Sequence, residues 1–228
     1  KPTVGIAQFE GQTSQFTNIQ NLLGQRYTVR SVNLSEAVPT DVTAMLMSGV
    51  ADSLSTDEYN NLSSYLKRGG NLFLTQNRIK TNLQIQQAFP IQSNIFDLIK
   101  DYGLSIVENL VTDKICGRVN VQQQMGPIRM NVPMEYPLLP VIRSFNAKEA
   151  IVSGLEQIQL VFASEITQDS ASIGNVNFVP LFFTSDQSGE MRGNYNLNPD
   201  PKQNPFIRMF NQSDKVLSAR SEKMNENG

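Results

Sequence analysis

Residues 44–76 read AMLMSGVADSLSTDEYNNLSSYLKRGGNLFLTQ, and their pattern sets the architecture expected of the chain. Ala44 to Met47 is an apolar run closed by Ser48-Gly49, the mark of a buried strand. Ser55 and Glu58 are spaced as a capping box, with Leu54 and Tyr59 placed as its hydrophobic staple. The helix that follows carries Tyr59, Leu62 and Leu66 on one face and Lys67 and Arg68 in its last turn, then meets Gly69-Gly70 as a stop. Leu72 to Leu74 is a second buried strand. Strand, capped helix, glycine stop and strand make a βαβ unit, which requires parallel strands with helices laid over them.

Working outward, Val4 to Phe9 reads as the first strand, and Phe16, Ile19, Leu22 and Leu23 follow at helical spacing up to Gly24. Tyr27 to Leu34 supplies a second strand. Asn77 to Pro90 is polar and its period ambiguous; a helix ending at Phe89 is one reading. Ile95, Phe96, Leu98, Ile99 and Tyr102 form an amphipathic helix capped by Ser93 or Asn94, and Leu104 to Val111 is a strand. Residues 112–147 hold Gly117, Gly126, Pro127, Pro133, Pro137 and Pro140, so long loops with short strands are expected there. Ile158 to Phe162 and Phe178 to Phe183 are later strands, and Ser185 to Pro205 reads as a surface loop. The expected organisation is one α/β domain over 1–210 and a polar C-terminal tail over 211–228, a frayed helix or mobile segment.

Composition narrows the chemistry. The 228 residues include no His and one Cys, Cys116. Nucleophile pairs that rely on imidazole are therefore excluded within this chain, as are Cys/His zinc sites. No metal and no cofactor is expected. A net charge of −2 and a pI near 5.3 argue against a nucleic-acid or anionic-membrane surface. No run approaches the roughly 20 apolar residues of a membrane span. The start at Lys1-Pro2-Thr3, without Met, reads as a fragment or processed product, so any anchor would lie outside these residues.

Several blocks, in order, resemble one family: KPTVGIAQFEGQ, YTVRSVNL, the 44–76 stretch, FDLIKDYGLSIVENLVTDK, YPLLPVI, AIVSGLEQIQLVFASEI and FVPLFFTSDQSG. Over about residues 1–190 the chain is similar to the extracytoplasmic domain of the auxiliary component of ABC transport systems of the gliding-motility type. The resemblance implies an α/β domain, flavodoxin-like or class I glutamine-amidotransferase-like, with a mostly parallel central sheet, helices on both faces and a loop-rich later half. It implies a periplasmic location, with the domain anchored to the cytoplasmic membrane by helices of the full-length protein. It also implies partners among the permease and ATPase subunits or cargo, and a homo- or hetero-oligomer. Similar domains occur in intraflagellar-transport proteins, where they bind partners and catalyse nothing. The chain departs from the family at three strand ends. Gly11-Gln12-Thr13-Ser14 stands where many members have Gly-His-Gly-Glu, Gly49-Val50 where they have Gly-Pro, and Gln76-Asn77 where they have Asp-Pro.

Open α/β sheets place ligands at the carboxyl ends of their strands. The candidate binding rim is therefore Glu10, Gln12, Gly49, Asp52, Gln76, Asn77 and Arg78. No catalytic residue is assigned. The turn after Leu74 offers Thr75 but no thiol and no base; Ser48 sits in a tight bend; Cys116 reads as a small buried hydrophobe. Glu10 and Asp52, both near strand ends, are the carboxylates best placed to meet. Gly69-Gly70 follows a helix and precedes a strand, the reverse of a phosphate loop. The expected function is non-catalytic binding in an ABC transport complex. The alternatives are an amidotransferase-like or carbohydrate-processing enzyme using carboxylates alone, and a small-molecule sensor.

Overall fold

The computed structural model describes residues 1–12, 16–125 and 127–224. They divide into two compact units, Lys1–Asn77 with Ile91–Leu98, and Arg78–Pro90 with Ile99–Gly228.

The first unit contains the predicted parallel sheet. Its strands are β1 (Thr3–Gln8), β2 (Thr28–Asn33), β3 (Val42–Met47) and β4 (Asn71–Leu74), in the order β2-β1-β3-β4. Every pairing is parallel, including β3 with β4, where Met45 lies beside Leu72 and Met47 beside Leu74. Helices α1 (Thr17–Gly24) and α2 (Thr56–Lys67) make the crossovers. A third helix, α3 (Ile95–Lys100), places Ile95 and Leu98 in the same core as Met45, Met47, Leu62 and Tyr65.

The capping box of α2 is present in full: Ser55 accepts from the Glu58 amide, and the Glu58 carboxylate accepts from the Ser55 amide. At the other end Gly69 takes a φ of +91°, which L side chains resist. The Gly69 and Gly70 amides bond back to the Leu66 and Tyr65 carbonyls and close the helix. The buried face centres on Glu58, Leu62 and Tyr65, while Tyr59 and Leu66 pack at its margin. Tyr65 is central because its hydroxyl donates to the Asn71 carbonyl at 2.8 Å, so the ring can be buried without an orphaned donor.

The second unit overturns the expected fold class. Among the described residues, strand accounts for 41% and helix for 16%, and the one parallel sheet is the small sheet of the first unit. The flavodoxin-like or amidotransferase-like α/β layering, with a mostly parallel sheet and helices on both faces, is therefore corrected. The second unit is built of small antiparallel sheets. β5 (Ile79–Asn82) and β6 (Gln87–Pro90) form a hairpin in the segment read as a helix. β7 (Leu104–Ile106) pairs with β13 (Ile166–Gln168), and β8 (Leu110–Asp113) with β15 (Ser188–Met191). β9 (Cys116–Met125), β10 (Ile128–Ile142) and β12 (Ile158–Gln159) form a sheet in the order β12-β10-β9. β11 (Ser144–Phe145), β14 (Val176–Phe183) and β16 (Val216–Lys223) form another, in the order β11-β14-β16.

The later half is thus strand-rich rather than loop-rich. β10 is the longest strand, at 15 residues, and it contains Pro133, Pro137 and Pro140. It tolerates Pro137 and Pro140 because its register with β9 is irregular between Glu135 and Pro140 and because proline keeps its carbonyl: Pro140 accepts from the Leu160 amide at 2.9 Å. The segment read as a surface loop, 185–205, contributes Met191, Tyr195 and Leu197 to a core with Ile79, Leu110, Tyr136, Leu138 and Phe162. The supposed tail from 211 holds β16, whose Leu217 packs with Val111 and Ile142. The last positions assigned to that tail, 225–228, and Gly126 lie outside the described residues.

Candidate functional site

In the first unit, the strand-end loops hold Glu10, Gln12, Gly49, Asp52, Gln76 and Asn77. Most of their polar groups are closed on the protein itself. The Gln76 side chain spans the Val50 backbone: its Oε1 accepts from the Val50 amide at 2.8 Å and its Nε2 donates to the Val50 carbonyl at 3.1 Å. Gln12 Nε2 donates to the Ala7 carbonyl and to Ser48 Oγ, both at 3.2 Å. Gly49 is packed so that a Cβ there would stand 2.8 Å from the Thr75 carbonyl oxygen. The glutamines at 12 and 76 therefore hold this rim together.

Glu58 has a second role that its spacing did not reveal. Its Oε2 closes the capping box, and its Oε1 accepts from the Glu10 amide at 2.7 Å. Burial alone would raise this carboxyl's pKa, but the Glu10 and Ser55 donors outweigh it and hold the group below the usual range. A carboxylate from within the chain thus occupies the N-terminus of α2, where an anionic ligand would otherwise sit. What remains open is the Glu10, Asp52 and Asn77 side chains, all exposed. A depression of about 230 Å³ beside α2 is lined by Leu54, Thr56, Tyr59, Asn94 and Asp97.

Arg78 belongs to the second unit, where it pairs with Glu108 at 3.4 Å. Thr13 and Ser14 lie outside the described residues. Ser48 is buried beneath the Gln12 amide, which donates to it and cannot act as a base. Burial, with the nearby Glu135 carboxylate, pushes the Cys116 thiol up, away from the reactive thiolate form. Among the described residues, no group of three or more acidic, Cys or His side chains could hold a metal ion.

Sequence spacing also missed a partly buried charge network in the second unit, centred on the buried Lys215. Lys215 Nζ lies 2.6 Å from Glu165 Oε2 and 3.2 Å from Glu190 Oε2. Asn109 Nδ2 donates to both carboxylates, and Arg192 forks onto Glu190 at 2.8 and 3.1 Å. Burial would raise the Glu190 pKa, but Arg192, Asn109 and Lys215 together bring it down to about 2. Each charge here has a counter-charge. The network joins the chain entering β13, strand β15 and the chain entering β16. Its members lie up to 106 positions apart, from Asn109 to Lys215, so no local motif could announce it.

The family model described as "ABC-type uncharacterized transport system" matches residues 1–226. The chain belongs to this family. Membership associates it with ABC-type transport and with the other subunits of such a system. No curated protein matches the sequence. A solved structure, the "mmIFT52 N-terminal domain", is similar with a TM-score of 0.52 at 14% identity, covering 82% of this chain and 74% of that one. At that identity the likeness concerns the fold alone.

Proposed function

We propose that this transport-system chain is a non-catalytic binding domain. It works outside the cytoplasmic membrane, in the periplasm, in a complex of the gliding-motility type, and is anchored by membrane segments outside these residues. One observation carries the binding reading. The strand-end rim of the parallel sheet, where enzymes of open α/β design keep their ligands, is filled by the chain's own Gln12, Glu58 and Gln76. The glutamines and the helix-capping carboxylate are spent on the chain itself, whereas the exposed carboxylates of Glu10 and Asp52 are left for a protein partner. Such rim charges act mainly on association rate and partner choice.

The test is the double variant Glu10→Lys, Asp52→Lys in the full-length protein, followed by co-purification with the permease and ATPase subunits. Reduced recovery with an unchanged melting temperature is the expected result. Equal recovery from a folded double variant would move the working surface off this rim. Location is checked separately, by protease accessibility of the domain in spheroplasts.

A further inference from the structure

β9 is the outer strand of its sheet, and β10 is its one pairing partner among the described residues. Every second amide and carbonyl along its far side therefore points away from the sheet. Proteins guard such edges with charges, prolines or bulges, because an unguarded edge recruits another strand. β10 is guarded, with Arg129, Pro133 and Glu135 along its outer half. β9 carries a single charge, Arg118, near its start, and beyond it Val119 to Met125 reads VNVQQQM, with no charge and no proline. Around it the ribbon is solvated. Asn120, Gln122 and Gln123 are exposed, as are Ile128 and Met130 on the opposite strand, at 61% and 49%. A two-stranded ribbon of this kind is marginal on its own and gains from further strands.

We propose that β9 pairs antiparallel with β9 of a second copy of this chain, giving a four-stranded sheet in the order β10-β9-β9-β10. A two-fold pairing sets a short sequence against its own reverse, so it fails where like charges meet. In β9 nothing charged meets across the seven uncharged residues, and amides face amides. The register within the ribbon fixes the faces: Val121 lies opposite Val132 and Val119 opposite Met134, while Arg118 lies opposite Glu135 on the other face. Odd positions of one copy set against odd positions of the other keep the valines of both on one side and Asn120 and Gln122 of both on the other. Seven paired residues span roughly 24 Å. That edge buries far less than the roughly 800 Å² per partner of a stable interface, so a weak, concentration-dependent dimer follows. The inference is independent of the transport-partner reading.

The experiment is sedimentation equilibrium of the full chain over a wide concentration range. The parent should move from monomer toward dimer. Asn120→Lys with Gln122→Lys places like charges opposite one another and should weaken association by about tenfold or more. Mixing that variant with Asn120→Glu, Gln122→Glu should restore a dimer containing one of each, which a merely misfolded ribbon could not do. Asn131→Lys, on the same face but on β10, should associate like the parent. A parent that stays monomeric at its highest soluble concentration overturns the proposal. So does undiminished association of the lysine variant, or failure of the mixture to associate.

Discussion

Tyr65 shows how a single residue can be misjudged from spacing and then explained by one hydrogen bond. The sequence pattern puts Leu66 on the α2 face with Tyr59 and Leu62 and leaves out Tyr65, yet Tyr65 is fully buried beside Leu62 and Leu66 lies at the margin. Tyr65→Phe removes the hydroxyl and leaves the Asn71 carbonyl without that donor, so a loss of about 1 kcal/mol is expected in denaturant melts. Gly70→Ala should cost more, about 3 kcal/mol, because the new Cβ would stand 2.3 Å from the Tyr65 ring, which is fixed by burial. Were the two changes equal in effect, the ring would have room that the packing denies it. The capping box was legible because its signal is local, Ser55 and Glu58 three positions apart. The Glu58 contact to the Glu10 amide was not, because nothing in either neighbourhood encodes a bond across 48 positions.

Among the elements, legibility follows hydrophobic period. β1, β3, α2 and β4 were readable because apolar runs and glycine stops bound them. β9 and β10 were not, because Gln, Asn and Pro mask an alternation that emerges once the two strands are aligned. β16 was taken for tail because Lys, Arg, Ser and Glu fill it, although Leu217 turns into the core. The Lys215 network anchors that strand's entry, and it gives the second unit an acid limit. The Glu190 carboxyl, normally near 4.5, is held at about 2 in the folded state. Its contribution is complete above pH 4.5 and is lost as pH falls toward 2, because the unfolded chain takes up the proton first. The shift corresponds to about 3 kcal/mol. Glu190→Gln should therefore flatten the acid limb of a stability–pH curve measured by urea titration between pH 5 and 2. A variant with the parent's slope would assign the limb to other carboxylates.

At the scale of the molecule, the boundary between the units was hidden because the first unit is discontinuous: Arg78–Pro90 leaves it and Ile91–Leu98 returns to its core. A reading that expects continuous domains merges both into one and takes the last residues for a polar tail. The structure predicts otherwise for the end of the chain. A stop after Asp214 would remove Lys215 and all of β16, the outer strand beside β14. Three losses then fall on the second unit together. The pairing with β14 over Val176 to Phe183 is gone, Val111 and Ile142 lose Leu217, and Glu165 and Glu190 lose the ammonium between them. Removing one partner of a fully buried ion pair costs about 3 to 5 kcal/mol, and the part-buried carboxylates here bring a share of that to add to the other two losses. The truncated chain should lose the cooperative unfolding and hydrogen-exchange protection of the second unit. Lys215→Met in the full-length chain, which keeps β16 but removes the charge, should show an intermediate loss. A stop after Asp214 that left exchange protection of β8, β14 and β15 at parent levels would mean that β16 is an accessory strand and that the unit's core closes without it.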